Sequence, residues 1–314
     1  MQTTSSALKQ DFEQPCESLF TVVHSSDFAS RKQSNNCSTI RNQSCVLAVN
    51  GAQKQRHAHA VKDYWEDRAQ SFGLDGENID AWGALMQCHI PSAAKLVLDV
   101  GCGTGAMTIP LVERGYNVVG LDLCENMIKR AQDNLSVAGL KAKFMQASAD
   151  ELPFAPESVD ALVNRNVLSN LVNPEGALHT WCEVLKPGGT LLYFDSAWWH
   201  YLYDEHLDSL REAYYGSGSS ATFNSLESLA PDLPLSREIR PAWDKQFLER
   251  EGMEIVEVRD VSSLVWTSEE QLRYSFAPQF MVVARKPLTN GYQSDSRFGI
   301  YSDSFSRSEA FAFN

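Results

Sequence analysis

Apolar runs alternate with amphipathic stretches through the middle of the chain. Lys95–Val100, Asn117–Asp122, Lys141–Gln146, Val159–Asn164 and Thr190–Asp195 read as strands. Between them, Ala106–Arg114, Glu125–Ala138 and Pro174–Leu185 carry apolar residues at helical spacing. Leu96-Val97-Leu98-Asp99-Val100 has the near-continuous apolar character of a central strand. Strands alternating with helices imply right-handed crossovers and a parallel sheet covered on both faces, an α/β fold. Two later runs, Glu254–Asp260 and Gln279–Ala284, also read as strands, with a short helix over Thr267–Tyr274 between them. Their spacing does not set the direction of the last strand. Two helical stretches, Val61–Gln70 and Asn78–His89, precede the sheet.

The ends look different. Residues 1–56 are rich in Ser, Thr, Asn and Gln without a sustained period, and 288–314 are similarly polar. Such segments bury too little apolar surface to offset chain entropy, so both are expected to be disordered. One domain over 57–287 remains. Within it, an insertion of about 197–240 separates the fifth strand from a Pro241–Glu251 helix. Its first half, Trp198–Tyr215, reads as helical and aromatic. Its second half, Gly216–Pro234, is rich in Ser, Gly and Pro and is expected to be mobile. Long insertions of this kind often act as lids.

Charge narrows the function. The 314 residues hold 27 Lys and Arg against 40 Asp and Glu, a net charge of −13. That balance repels a phosphate backbone, so nucleic acid is not an expected partner. No apolar run reaches the roughly 18 residues of a membrane span. The cysteines number 7, an odd count, and no Cys-x-x-Cys occurs. This argues against a disulfide framework or a zinc site and for a reducing cytoplasm. His57-x-His59 lacks a supporting Cys or carboxylate cluster, so no metal is expected.

The strongest local signal is Asp99-Val100-Gly101-Cys102-Gly103-Thr104-Gly105, placed directly after a strand and before a helix. Glycines let backbone approach a ligand closely, and a helix N-terminus offers unpaired N–H groups. Asp122 closes the next strand, where a carboxylate accepts from a ribose diol. Strand, turn, helix and acid together read as a nucleoside-cofactor site, with NAD and S-adenosylmethionine both in play.

At this point the chain resembles the class I S-adenosylmethionine-dependent methyltransferases of the small-molecule (methyltransferase type 11) kind. The resemblance runs from about Tyr64 to Lys286 and rests on Val97 to Gly105, on Asp122, on Ser148-Ala149-Asp150-Glu151-Leu152-Pro153-Phe154 and on Leu185-Lys186-Pro187-Gly188-Gly189. It implies a Rossmann-like, mostly parallel sheet of seven strands with the last antiparallel. It also implies S-adenosylmethionine as cofactor and a small-molecule acceptor. The residues implied at the cofactor are Tyr64, Asp99, Gly101, Cys102, Gly103, Gly105, Asp122, Leu123, Ser148, Ala149, Asp150 and Arg165. Ser148 departs from the family, which places Asp there to accept from the adenine amino group; Asp150 is the alternative acceptor. Tyr64 would meet the methionine carboxylate, or else simply pack with Trp65. Arg165 would hold a substrate carboxylate or a surface acid, while the backbone beside it accepts from the cofactor ammonium. Rival readings are a non-catalytic nucleoside-binding regulatory module and an NAD-dependent oxidoreductase.

Methyl transfer makes no single side chain obligatory, since a general base is needed only if the acceptor starts protonated. Asp195 ends the fifth strand at the ligand-binding edge. Beyond it, Trp199, Tyr203 and His206 fall at helical spacing on one face, with His200 and Asp204 beside them. His200, Tyr203 and His206 are therefore the catalytic candidates, with core packing as the alternative for the stripe. Cys102 and Cys124 read as space-filling.

Overall fold

The computed structural model describes residues 51–74, 76, 78–215 and 226–288. The expected disorder of 1–50 and 289–314 lies outside those residues, as does 216–225 of the stretch expected to be mobile.

Two helices, α1 (Gly51–Arg68) and α2 (Ile79–His89), lead into the sheet. The sheet strands and crossover helices are β1 (Val97–Val100), α3 (Thr108–Glu113), β2 (Val118–Asp122), α4 (Glu125–Val137), β3 (Lys143–Gln146), β4 (Val159–Arg165), α5 (Pro174–Val184) and β5 (Leu185–Asp195). The insertion holds α6 (Glu205–Leu210). Then follow α7 (Ala242–Arg250), β6 (Glu254–Asp260), the short α8 (Ser262–Val265) and α9 (Ser268–Arg273), and β7 (Phe280–Arg285).

All strands form one 7-stranded sheet in the order β3-β2-β1-β4-β5-β7-β6. The strands from β3 to β5 are mutually parallel, and β7 runs antiparallel to both β5 and β6. The order reverses between β1 and β4, which opens a crevice at the carboxyl ends of the strands.

The period-2 alternation of each strand builds a core on either face. Leu98, Val100, Leu162, Tyr193 and Val282 meet Leu178 and Trp181 of α5 and Phe247 and Leu248 of α7. Val97, Ala161, Val163, Phe194 and Val283 meet Trp82, Leu85 and Met86 of α2 and Leu111 of α3. Phe194 and Trp82 pack edge to face with ring centroids 4.8 Å apart. Among the described residues no helix is long and apolar enough to cross a membrane. Cys102, Cys124 and Cys182 are buried free thiols.

Two local expectations need correction. Helix α1 begins at Gly51 rather than after Arg56, because Ala, Gln and Lys propagate a helix even where no apolar stripe marks it. The single helix expected over Trp198–Tyr215 is broken. His200–Tyr203 forms a 3-10 turn, Asp204 takes an extended conformation, and its carboxylate caps α6 by accepting from His206 N and Leu207 N. An Asp that competes for backbone N–H groups starts a new helix rather than continuing the old one.

Candidate active site

The turn after β1 carries Gly101 at φ +68° and Gly103 at φ +52°, backbone that a Cβ disfavours. The two glycines serve different neighbours. A Cβ on Gly101 would stand 2.4 Å from Val167 Cγ2, so that glycine admits a side chain of the next loop. A Cβ on Gly103 would meet nothing within 4 Å, so that glycine opens onto space. The space is a cavity of about 200 Å³ lined by the turn, by Asp122, Leu123, Ser148 and Ala149, and by Val61, Lys62 and Trp65 of α1. Gly105 lies outside it; a Cβ there would stand 3.2 Å from Leu135 Cδ1, so this glycine lets the turn pack on α4.

Asp122 ties the turn to β2. Its Oδ2 accepts from Gly103 N at 2.9 Å and its Oδ1 from Cys124 N at 2.8 Å. Burial raises its pKa, and those two backbone donors oppose the rise. A carboxylate has about four acceptor sites, so two remain for a ligand hydroxyl pair. Burial pushes the thiols of Cys102 and Cys124 up, so both stay protonated at neutral pH and fill space beside the acid.

On the far side, Ser148 donates its hydroxyl to Asp150 Oδ1, and Thr180 Oγ1 donates to Asp150 O at 3.2 Å. The Ala149 carbonyl accepts from Trp181 Nε1 at 2.7 Å. Ser148 and Ala149 thus line the cavity while Asp150 braces them from behind. Opposite, Asp99 is buried and accepts from Thr108 Oγ1 at 2.5 Å. Burial pushes its pKa up to about 7, against the Thr108 hydrogen bond. Thr104 lines the cavity with a buried hydroxyl that has no partner. An open glycine floor, an acid with spare acceptor sites and an orphaned hydroxyl fit a nucleoside with an amino-acid tail, the shape of S-adenosylmethionine.

A second cavity of about 350 Å³ adjoins the first. Trp65, Phe72, Arg165, Asn166 and Asn170 belong to both walls. Six aromatic residues, Tyr64, Trp198, Trp199, Tyr215, Trp266 and Tyr274, share the rest of its lining with polar residues including Arg68, Asn78, Glu270 and Gln279. Trp198 and Tyr274 meet edge to face at 5.8 Å, and Trp266 and Tyr274 lie 5.2 Å apart. Asn166 sits at φ +57°, a conformation Asn tolerates better than most residues. There its Oδ1 accepts from Trp198 Nε1 and from Gln279 Nε2, each at 3.3 Å. Helix periodicity spreads α1 between the cavities: Val61 faces the first, Tyr64 and Arg68 the second, and Trp65 both. The link from Asn166 to Gln279 crosses more than a hundred residues and leaves no local signal in the sequence.

The candidate bases are elsewhere. His200, Tyr203 and His206 line neither cavity. Tyr203 and His206 are exposed while Trp199 is buried: the 3-10 winding of His200–Tyr203 turns Tyr203 off the expected common face, and the break at Asp204 turns His206 off it. Tyr203 instead donates to Pro231 O at 3.4 Å and lies under the Arg237 guanidinium. Asp195 is fully buried: its carboxylate pairs with Arg240 Nη1 at 3.1 Å and accepts from Ser169 N, Ser169 Oγ and Ser196 N. Arg240 also pairs with Asp244 at 2.6 Å, so this end of the insertion is anchored in the core. His57 pairs with Asp232 and His59 with Gln55 O, so the two histidines go to different partners.

Residues 98–193 match the Methyltransferase domain family. A ubiquinone biosynthesis O-methyltransferase of Azoarcus sp. (strain BH72) is 27% identical over 63% of this chain and 81% of its own length. A ubiquinone/menaquinone biosynthesis C-methyltransferase of Syntrophotalea carbinolica is 29% identical over 64% of this chain and 85% of its own. Among solved structures, a chain from the complex of the Haloferax volcanii Trm112 methyltransferase activator with a methyltransferase superposes with a TM-score of 0.52. It is 18% identical, with 74% of this chain and 100% of that chain covered, and the likeness is one of fold.

Proposed function

Because this chain belongs to the class I S-adenosylmethionine-dependent methyltransferases, we propose that it methylates a small aromatic acceptor seated in the chamber beside the cofactor cavity. The observation that supports this reading is the shared wall: Trp65, Phe72, Arg165, Asn166 and Asn170 belong to both cavities, so two ligands would meet there. The relatives named for ubiquinone biosynthesis O-methylation favour an oxygen on a ring as the acceptor atom.

S-adenosylmethionine supplies an activated methyl on a sulfonium with its own leaving group. The protein's work is then position and exclusion of water. Asp122 would take the ribose hydroxyls, Gly103 would allow the close approach, and Ser148 and Ala149 with Leu123 would border the base. Gly101, Cys102 and Gly105 would hold the turn, and Asp99 and Arg165 would flank the methionine end. Tyr64 and Trp65 on α1 would close both ligands in. Good alignment of acceptor and methyl contributes roughly 7–11 kcal/mol. Burial raises the phenols of Tyr64 and Tyr215, so they keep their protons and donate to the acceptor instead of taking its proton. No side chain is needed as base once the acceptor oxygen is ionised, and the rate should follow the acceptor's own pKa.

Titration with S-adenosylmethionine, S-adenosylhomocysteine and NAD, followed by transfer of a labelled methyl into a metabolite extract, tests the reading. Binding of both adenosyl compounds with label on an aromatic product is expected. Label only on aliphatic products, or none at all, would overturn it.

A further inference from the structure

The larger chamber carries a guanidinium in its wall. Arg68 is half-buried in its wall. Its guanidinium lies 5.9 Å from the Phe72 ring centre and acts electrostatically on the Tyr64 and Tyr215 phenols. Among the described residues no carboxylate pairs with it. Among the described lining residues Glu270 is the acid, and it is committed elsewhere: its Oε2 accepts from Thr267 N and from Thr267 Oγ1, each at 2.8 Å, in a capping box. A half-buried guanidinium beside an aromatic ring is suited to an anionic partner, which it binds through charge-assisted hydrogen bonds.

We infer that the acceptor carries a carboxylate, which docks on Arg68 while its ring lies among Trp198, Trp266 and Tyr274. The inference rests on the methyl-transfer reading for the identity of the ligand as acceptor, though the binding site stands by itself. A planar guanidinium takes a carboxylate through two parallel N–H donors, which fixes orientation as well as charge. Arg68 follows Tyr64 by one helical turn on the same face of α1, so the acid and the ring are read by neighbouring side chains. Cation and aromatic walls together select an aromatic acid over its neutral analogue.

The test uses the full chain saturated with S-adenosylhomocysteine and a panel of hydroxybenzoic and hydroxycinnamic acids, each paired with its primary amide. Binding is read by calorimetry. At least one acid should bind roughly tenfold or more tightly than its amide, the gain of a charge-assisted pair. Arg68→Met should bring that ratio near one, Arg68→Lys should keep part of it, and S-adenosylhomocysteine affinity should hold in both, since Arg68 lies outside the smaller cavity. Equal binding of every acid and its amide by the wild-type chain, no binding by any acid, or a preference that survives Arg68→Met would overturn the inference. Methyl transfer to neutral acceptors without an acid preference would sink this inference alone. Acid binding without methyl transfer would sink the catalytic reading alone.

Discussion

Glu66 caps a helix that is not its own. From α1 its carboxylate accepts from the backbone N–H of Glu125 at 2.9 Å and from that of Asn126 at 3.0 Å, at the start of α4. Cys124 has no capping side chain to offer there. A carboxylate at a helix N-terminus satisfies orphan donors and the local positive field. The two bonds hold α1 over the smaller cavity. Glu66→Ala should cost about 0.5–2 kcal/mol of stability, the range of a lost N-cap. It should also weaken S-adenosylhomocysteine binding, because Val61, Lys62 and Trp65 lose their seat. Thermal melts and calorimetric titration measure the two effects separately, and a fall in stability with unchanged affinity would refute the coupling.

Asp122→Ala should weaken S-adenosylhomocysteine more than Glu66→Ala does. It deletes both the bond that orders Gly103 and the acceptors left for a ribose. Each charge-assisted bond is worth about 1.5–3 kcal/mol. Affinity unchanged in a folded Asp122→Ala protein would reject the ribose assignment.

The Arg240 network predicts an asymmetric stability response. Arg240→Met leaves the Asp195 and Asp244 carboxylates buried and uncompensated, and should cost about 3–5 kcal/mol. Denaturant midpoints at constant m-value would show it. By contrast, His206→Ala should leave both the midpoint and turnover unchanged. Tyr203→Ala should cost about 0.5–1 kcal/mol through the lost Arg237 contact, again without a turnover defect. A selective loss of turnover in either would restore those residues to the site.

Asp99 gives a pH signature. Its folded pKa is raised, to about 7, above the ordinary carboxylate value of 3.8. Between those values the unfolded chain has released a proton that the folded chain still holds. The Asp99 contribution therefore weakens the fold as pH rises through that window and levels off above it. Asp99→Asn should flatten this slope in melts of the ligand-free protein. A slope identical to wild type would show that Asp99 titrates normally.

Much of this was legible in the sequence. Strands β1, β2, β4 and β5 announced themselves because buried parallel strands are nearly all apolar, whereas β3 is a largely exposed edge strand; the turn from Gly101 to Gly105 stood out because few other sequences bend so tightly between a strand and a helix. The antiparallel β7 came through family resemblance, since an 18-residue-scale spacing permits either direction. What local pattern did not carry were pairings across long separations: Glu66 with Glu125, Asn166 with Gln279, Asp195 with Arg240. The misread stripe of Trp199, Tyr203 and His206 had the right spacing. Asp204, read as a neighbour of His200, was the residue that ended the helix.

Trp65 stands in the walls of both cavities. Thermodynamic linkage makes any influence passing through that indole symmetrical: the factor by which an acceptor alters cofactor affinity is the factor by which the cofactor alters acceptor affinity. Occupancy of one cavity is thus legible at the other, and a probe of the indole's environment reports on two ligands at once.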